Sequence, residues 1–460
     1  MSSTMNKHIF RAYDIRGVYQ QDIDPSLFYQ IGLAAGTYVR QHIKGSSMTV
    51  GNDLRRSSHP LVYAFISGIS AAGINVSYTG TTSFGQTLFS GCENNNDLIA
   101  FVTASHLPAE WNGVKFYYGD GVGLPEKELM KIRDLTLDQK EKAVPWENVG
   151  TVKNVDATQS YADFFAEKFS FDKSLHIAVD CGGASMTLSA PAIFKRLGHE
   201  VIPVFCQPDP TFSQRPSDPK PENLSKLIAT VKEKHCDFGV AFDGDGDRSV
   251  IVDDTGAVLS ADQTGIILGK HGLKKKGTVI ANVECSKAVS EQLTPLGFSV
   301  KQIQVGHTFL TLHAKKENAL LGIESSGHLI LPAYVLFDDA LVVPFKIAEI
   351  IDSMDTPLST LREKIPVYPQ EKLEIPCSDE TKFMVIKKLT QQLNNHYSDC
   401  NTMDGIRVNL EKGWVLIRAS NTSPIIRLTA EADTTQLAKS IAMKFKEQTE
   451  HLIKKTENSI

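Results

Sequence analysis

Met48–Gly80, MTVGNDLRRSSHPLVYAFISGISAAGINVSYTG, contains a strand-like run, a polar loop, a helical pattern and a second strand-like run. The apolar residues of its middle part recur at the spacing of one helix face, and they are Leu61, Phe65, Ile69 and Ala72. Gly73 follows at the position where a left-handed residue commonly ends a helix. The stretch therefore predicts a β-α-β unit with two parallel strands.

Two later segments repeat this plan, HIAVDCGGASMTLSAPAIFKRLGHEVIPVF at 176–205 and GTVIANVECSKAVSEQLTPLGFSVKQIQVG at 277–306. Their predicted helix caps are Gly198 and Gly297, and the apolar stripe of the last unit is Val289, Leu293 and Leu296. A large α/β protein can contain several such units by chance. Their wide spacing nevertheless favours three similar α/β domains with mixed, largely parallel sheets over a single sheet.

The last quarter of the chain follows a different pattern. GIRVNLEKGWVLIRASNTSPIIRLTAEA, residues 405–432, predicts a hairpin turning at 411–413, a polar loop, another strand and then a helix from about Thr434. This indicates a C-terminal α+β domain. Polar or proline-bearing stretches place the domain limits at 1–153, 154–255, 256–368 and 369–460.

The composition excludes several classes of protein. With 460 residues, 42% of them hydrophobic, and a net charge of -5, the chain is neither disordered nor basic enough to indicate nucleic-acid binding. Its most apolar run, residues 329–345, is interrupted by Asp338 and Asp339, which argues against a membrane span. Seven cysteines without a CxxC pair predict reduced thiols, and hence a cytoplasmic protein.

The loop Asp243-Gly-Asp-Gly-Asp-Arg248 lies between two apolar runs. Three carboxylates at alternate positions, separated by glycines, can face one hard cation, and Mg²⁺ is the predicted occupant. A calcium-binding EF-hand would need Gly and Glu where Arg248 and Asp254 stand. Arg248 is suited to binding a phosphate beside the metal.

Three further loops carry polar groups after apolar runs. TASHLP, residues 103–108, pairs a possible nucleophile with a histidine, although adjacent side chains usually diverge. GIESSGH, residues 322–328, predicts either a hairpin turn or a ligand loop. RASNTSP, residues 418–424, offers an arginine, hydroxyls and an amide for a phosphate, with a capped turn as the alternative.

Together with FRAYDIRG at 10–17, these loops resemble, in order and spacing, the signature loops of the α-D-phosphohexomutase superfamily, specifically its phosphomannomutase/phosphoglucomutase branch. The resemblance extends from about Phe10 to about Ile426. It implies four domains that each contribute a loop to a central cleft. It also implies an intramolecular phosphotransferase that interconverts hexose 6-phosphate and hexose 1-phosphate through hexose 1,6-bisphosphate.

The resemblance also implies roles for individual residues. The phosphoryl carrier would be Ser105, which would bind Mg²⁺ together with Asp243, Asp245 and Asp247. The other predicted catalytic residues are Arg16, His106, Lys115, Arg248 and His328, with the general acid/base left open between Lys115 and His328. The predicted substrate-binding residues are Tyr13, His307, Glu324, Ser326, His328, Arg418, Ser420, Asn421 and Thr422. His106 is expected to shape the serine loop or to contact the phosphoryl group.

Mannose phosphate, with glucose phosphate also accepted, is the predicted substrate, because Ser326-Gly-His328 and Gly306-His307 resemble the dual-specificity branch. Phosphoglucosamine mutase, a metal-dependent phosphosugar phosphatase and a non-catalytic phosphosugar sensor are the alternatives. The predicted assembly is a monomer or weak homodimer. Three features depart from the family pattern: Leu107 where asparagine is common, TTSFGQ at 81–86 in place of a Thr-Pro pair, and Glu284 where some relatives carry lysine, with Lys287 as the possible substitute.

Overall fold

The computed structural model describes residues 7–138, 140, 142–420 and 423–457. Within these ranges the strands form four sheets of six, four, four and five strands. Each predicted β-α-β unit lies in a different one of the first three sheets, and the hairpin at 411–413 lies in the fourth. The prediction of three α/β domains followed by an α+β domain is therefore confirmed.

The first sheet is mixed, with strand order β1-β5-β4-β2-β3-β6. Its strands are β1 (Asp14–Val18), β2 (Ser47–Asn52), β3 (Asn75–Thr81), β4 (Leu98–Val102), β5 (Trp111–Tyr118) and β6 (Val152–Asn154). Its helices are α1 (Pro25–Tyr38), α2 (Ser58–Ala71), α3 (Phe84–Glu93) and α4 (Glu126–Asp138). Strands β2 and β3 pair in parallel across α2, and Gly73 ends that helix with a φ of 86°, as predicted.

The second and third sheets each combine parallel strands with one antiparallel edge. The second domain contains α5 (Thr158–Lys168), β7 (His176–Asp180), α6 (Ala190–Arg196), β8 (Glu200–Val204), α7 (Ser225–Glu233), β9 (Phe238–Phe242) and β10 (Ser249–Asp253). The third contains α8 (Ala261–Ile267), β11 (Thr278–Asn282), α9 (Lys287–Leu293), β12 (Ser299–Ile303), α10 (His307–Lys316), β13 (Leu321–Ile323), β14 (Leu329–Ile330), α11 (Val342–Met354) and α12 (Leu358–Glu363).

One prediction in the third unit is wrong. Leu296 was expected in the apolar stripe, but 40% of it is exposed, because α9 ends at Leu293 and the chain continues as a 3-10 turn containing Pro295. Val289 and Leu293 are buried as expected. Gly297, with a φ of 88°, then reverses the chain toward β12.

The fourth sheet is antiparallel throughout, with order β15-β19-β18-β17-β16. Its elements are β15 (Gln370–Pro376), α13 (Lys382–His396), β16 (Cys400–Asn401), β17 (Ile406–Leu410), β18 (Gly413–Ala419), β19 (Ile425–Ala432) and α14 (Thr435–Glu457). No helix in the described part of the chain has the length and apolarity needed to cross a bilayer.

The four polar loops occupy equivalent places, one in each domain. They follow the ends of β4, β9, β13 and β18, where the backbone leaves the sheet and its polar groups become available to a ligand. The second and third domains also share a continuous apolar core, in which the rings of Phe165 and Phe345 lie 5.2 Å apart. This shared packing fixes the position of the second-domain loop relative to the third-domain loop.

Candidate active site

Ser105 lies in the turn after β4 and is almost completely buried. Its hydroxyl donates a hydrogen bond to Asp243 Oδ2 over 2.9 Å, and its backbone N–H donates to Thr103 Oγ1 over 2.9 Å. His106 Nδ1 lies 3.4 Å from Ser105 Oγ, so the expectation that the two side chains diverge is wrong. Burial, together with the nearby cations Arg248 and Arg16, lowers the pKa of His106, and the imidazole is therefore neutral.

The three aspartates of the second domain converge as predicted. Asp243, Asp245 and Asp247 are fully buried, and each offers an oxygen within 4.8 Å of the others. Asp243 Oδ1 accepts hydrogen bonds from the backbone N–H groups of the same loop at Gly246, Asp247 and Arg248. Asp245 Oδ1 and Asp247 Oδ1 have no hydrogen-bond partner among the described residues. Buried carboxylate oxygens that lack a hydrogen bond and lie so close together fit a divalent cation.

Two cations contact these carboxylates. Lys115, on β5, donates from Nζ to Asp245 Oδ2 over 2.9 Å and to Asp247 Oδ2 over 2.5 Å. Burial alone would lower the pKa of Lys115, but the two carboxylates outweigh it and raise this pKa. Arg248 lies 3.3 Å from Asp243 Oδ2, and its Nη1 donates to the carbonyl of Ser326 over 3.2 Å. Arg248 thus connects the acidic loop to the third-domain loop.

The third-domain loop is both a hairpin turn and part of the cleft, because residues 324–328 join the antiparallel strands β13 and β14. Glu324 accepts from Ser326 Oγ over 2.6 Å and from the Gly306 N–H over 2.9 Å. His328 Nδ1 contacts the carboxylate of Asp338. Burial would lower the pKa of His328, but Asp247 and Asp338 raise it to about 9, so that the ring is held as a cation.

The first and third domains meet at an aromatic cluster. Tyr13 donates from its hydroxyl to the carbonyl of Val305 over 3.0 Å, and its ring lies 5.9 Å from that of His307. The His307 ring in turn lies 5.6 Å from that of His328. Arg16 is paired with Asp14 over 2.7 Å. The cluster thus forms one wall of the cleft.

The fourth domain contributes Arg418, which lies 3.8 Å from Asp404 Oδ2. Asp404 also accepts from the backbone N–H of Val305 over 3.1 Å, which links this arginine to the third domain. Ser420 Oγ accepts from the backbone N–H of Ser423 over 3.1 Å. The predicted ligands Asn421 and Thr422 lie outside the described residues.

These groups enclose a cleft of about 420 Å³. The predicted residues that line it are Tyr13, Arg16, Ser105, His106, Lys115, Asp247, Arg248, His307, Glu324, Ser326, His328, Arg418 and Ser420. Asp243 and Asp245 lie just behind this wall, in contact with Ser105 and Lys115 respectively. Because the cleft is rich in arginine and lysine although the whole chain is acidic, it is suited to an anionic ligand.

Comparison with known families agrees with this arrangement. Residues 7–143, 159–256 and 260–368 match alpha/beta/alpha domains I, II and III of the phosphoglucomutase/phosphomannomutase family, and residues 374–448 match its C-terminal domain. The chain belongs to this family. It is therefore a phosphohexomutase of the α-D-phosphohexomutase superfamily, whose members are intramolecular phosphotransferases.

Individual relatives in the family differ in their named substrates. The chain is 32% identical to a "Probable phosphoglucosamine mutase" of Methanothermobacter thermautotrophicus, over 94% of this chain and 96% of the relative. It is also 32% identical to a "Phosphomannomutase/phosphoglucomutase" of Pseudomonas putida, over 93% of this chain and 92% of the relative. A solved family structure from Burkholderia thailandensis superimposes with a TM-score of 0.87 at 26% identity, covering 96% of this chain and 98% of the other.

The departures from the family pattern have definite places in the structure. Glu284 lines the cleft and accepts from Thr429 Oγ1 over 3.0 Å; burial would raise its pKa, but Lys372 and Arg418 lower it, so that it is ionised. Lys287, the possible substitute for the family lysine, instead pairs with Asp433 over 2.6 Å. Within TTSFGQ, α3 begins at Phe84, directly after the capping Ser83.

Sequence reasoning missed several groups at this site. Asp338 was considered only as an interruption of an apolar run, although a carboxylate inside such a run is itself a signal of a polar contact. Arg55 and Ser217, which contact the serine loop, lie in polar loops without a recognisable pattern. Arg427, which also lines the cleft, lies within β19, and no local pattern marks it.

Proposed function

We propose that this phosphohexomutase interconverts hexose 6-phosphate and hexose 1-phosphate through phosphorylated Ser105 and a hexose 1,6-bisphosphate intermediate. The observation that carries the proposal is the hydrogen bond of 2.9 Å between Ser105 Oγ and Asp243, inside a cleft lined by Lys115 and Arg248. A hydroxyl beside a cation site and two fixed positive charges is the arrangement that phosphoryl transfer requires.

Ser105, Asp243, Asp245 and Asp247 would hold Mg²⁺, which when bound neutralises charge on the transferring phosphoryl group. The guanidinium of Arg248, which contacts the same Asp243 oxygen as Ser105, binds the phosphoryl oxygens. His106, neutral and 3.4 Å from Ser105 Oγ, donates a hydrogen bond to the same group without adding charge. Arg16 adds a further positive charge to the lining of the cleft.

Proton transfer to and from the sugar hydroxyl falls to Lys115 or His328. Both are buried cations that line the cleft. The Asp338 carboxylate contacts Nδ1 of His328 and thereby orients the ring, while Nε2 takes no part in that contact. The general acid donates its proton in the cationic form and accepts one only in the neutral form, and both transfers need such a fixed orientation. Each of the two can hold the proton at one stage of the cycle.

The non-reacting phosphate binds Arg418 and Ser420, together with Asn421 and Thr422. Glu324 and Ser326 bind the sugar hydroxyls, and Tyr13 and His307 form the facing wall. After the first transfer the bisphosphate reorients end over end in the cleft, so that its other phosphate faces Ser105. Because one loop must bind the sugar in both orientations, hydroxyl and carboxylate groups that accept and donate in several directions are well suited to it.

Intact-mass measurement tests the proposal. We expect purified protein treated with hexose 1,6-bisphosphate to carry one phosphate, and Ser105→Ala to carry none and to lose turnover. Interconversion of the two monophosphates without release of inorganic phosphate distinguishes a mutase from the phosphatase alternative. A Ser105→Ala variant that turns over normally would contradict the phosphoserine mechanism.

Mannose phosphate is the proposed substrate, with glucose phosphate also accepted. Glucosamine phosphate is the second candidate, because the Methanothermobacter relative bears the name of that mutase at the same identity as the Pseudomonas relative. Parallel assays with the three sugar 6-phosphates decide between them by comparing kcat/KM. A cytoplasmic location, a monomer or weak homodimer, and domain limits after residues 153, 255 and 368 stay predictions.

A further inference from the structure

Arg55 lies in the polar loop after β2 and is completely buried. Its Nη2 donates to the carbonyls of Ser105 and Leu107, each over 2.7 Å. Its Nη1 donates to the carbonyl of Pro108 over 2.5 Å and to that of Trp111 over 3.3 Å. One guanidinium therefore binds four backbone carbonyls in and just after the serine loop.

The guanidinium is itself held by Asp53. Arg55 Nε donates to Asp53 Oδ2 over 2.9 Å, and the same carboxylate accepts from Ser58 Oγ and Thr103 Oγ1. Thr103 Oγ1 accepts in turn from the backbone N–H of Ser105 over 2.9 Å. Arg55 and Asp53 thus reach Ser105 through both its carbonyl and its amide. Such a buried, fully paired network leaves the loop little freedom.

Residues of the second domain also contact the serine loop and Arg55. Ser217 Oγ lies 2.7 Å from the carbonyl of His106 and 3.0 Å from that of Leu107. The ring of Phe212 lies 4.9 Å from the Arg55 guanidinium carbon. A Cβ at Gly244, beside Asp243, would lie only 2.2 Å from the Ser105 carbonyl oxygen. The serine loop is therefore packed directly against the acidic loop.

These contacts surround a residue with an unfavourable backbone conformation. Ser105 has a φ of 51°, in the left-handed region that residues with a side chain rarely adopt. Holding such a residue is unfavourable, and the surrounding contacts must compensate for it. If the carbonyl of Ser105 lost its donor, the peptide could relax and carry Oγ away from Asp243.

We propose that Arg55 is a positioning residue for phosphoryl transfer, which holds Ser105 Oγ against the acidic loop by binding the backbone carbonyls of the serine loop. The inference rests on the proposed function of Ser105. Arg55 does not line the cleft, so it acts on the reaction only through the loop. A lysine cannot replace it, since one ammonium group cannot match the planar fork that spans these carbonyls.

The test compares Arg55→Lys with wild type in three measurements. The first is the rate at which Ser105 gains phosphate from glucose 1,6-bisphosphate, followed by quenched intact mass. The second is kcat and KM for the hexose 6-phosphate that the wild type turns over fastest. The third is thermal unfolding. The matched control is Arg362→Lys, which also loses a guanidinium paired with a buried carboxylate, that of Asp253, but away from the cleft.

We expect Arg55→Lys to slow phosphorylation of Ser105 and kcat by about 100-fold, the effect of misplacing a reacting atom by about 1 Å, while KM changes less than threefold. The control Arg362→Lys should retain wild-type kcat even if thermal unfolding shows it to be destabilised as much as Arg55→Lys. Wild-type phosphorylation rates in a folded Arg55→Lys would overturn the proposal. Absence of phosphate on wild-type Ser105 would instead overturn the proposed function.

Should Arg55→Lys fail to fold, Ser217→Ala provides a milder variant. It removes the hydroxyl that contacts the carbonyls of His106 and Leu107 without placing or removing a charge. We expect a fall of about tenfold in the phosphorylation rate, with KM unchanged. A rate within twofold of wild type, in protein that is folded, would contradict the view that carbonyl donors set the reactivity of Ser105.

Discussion

Ser105 Oγ donates to Asp243 Oδ2 over 2.9 Å, although 138 residues separate the two along the chain. This contact joins the first and second domains at the wall of the cleft. It brings a hydroxyl, a triple carboxylate loop and two cationic side chains into one buried region, where charge interactions are stronger than in water.

Asp245→Asn removes a carboxylate whose Oδ1 has no hydrogen-bond partner among the described residues. We expect Mg²⁺ binding to weaken on the order of 100-fold and turnover to fall with it, because an amide oxygen carries no net charge. Mg²⁺ titration of activity checks this. The exposed Asp355→Asn serves as control, and full turnover of Asp245→Asn in the presence of a chelator would contradict a metal role.

Lys115→Met removes the ammonium that contacts Asp245 and Asp247. We expect tighter Mg²⁺ binding, since this ammonium and the cation compete for the negative charge of the same two carboxylates, and yet a loss of kcat of about 100-fold from missing proton transfer. Calorimetric Mg²⁺ titration and steady-state kinetics measure the two effects separately. Unchanged metal affinity would show that the lysine does not limit access to the carboxylates.

Glu284→Gln removes a negative charge from a cleft that binds phosphate, while its amide oxygen can still accept from Thr429. Because the ionised carboxylate lies close to Arg418, it opposes the binding of an anion there. We expect KM for the hexose phosphate to fall about fivefold, equivalent to about 1 kcal/mol, and the gain to shrink at high salt. An increased KM would indicate that Glu284 contacts the sugar itself.

His199 links protein stability to pH. Burial lowers its pKa to about 4, and its Nδ1 accepts from the backbone N–H of Leu175, which requires a neutral ring. Because the folded-state pKa lies below the ordinary value of about 6.5, its contribution to stability is complete above pH 6.5 and is lost as the pH falls toward 4. With allowance for solvent screening, the loss is about 1–2 kcal/mol.

His199→Asn keeps a side-chain acceptor but cannot titrate. We expect its free energy of unfolding to fall less than that of wild type between pH 6.5 and pH 4, as measured by urea denaturation at each pH. The exposed His235→Asn is the control and should follow wild type. An equal fall in the free energy of unfolding of wild type and His199→Asn between pH 6.5 and pH 4 would contradict the role of His199.

Much of the fold could be predicted because its signals are local. The cap glycines Gly73, Gly198 and Gly297 all adopt positive φ, and the helix face that begins at Leu61 is buried throughout. Leu296 shows the limit of such patterns, since its spacing matched the stripe but the proline before it had already ended the helix. Helical spacing alone does not reveal where a helix stops.

At the active site, the residue types that carry the chemistry were visible in the sequence, because carboxylates, glycines and hydroxyls cluster within short loops. DGDGDR and TASHLP are such loops, and both reach the cleft. The groups that orient them were not visible. Arg55 lies 50 residues before the Ser105 carbonyl that it binds, and no local pattern specifies that pair.

The sequence by itself determined the α/β units, the C-terminal α+β domain and the loops that carry the reacting groups, because these depend on neighbours a few residues apart. Only the tertiary structure decided that burial keeps His106 neutral, that Asp247 and Asp338 raise the pKa of His328, and that Arg55 holds the serine loop. Burial and contacts between distant residues set these properties, since a pKa or a strained φ depends on every group packed around it.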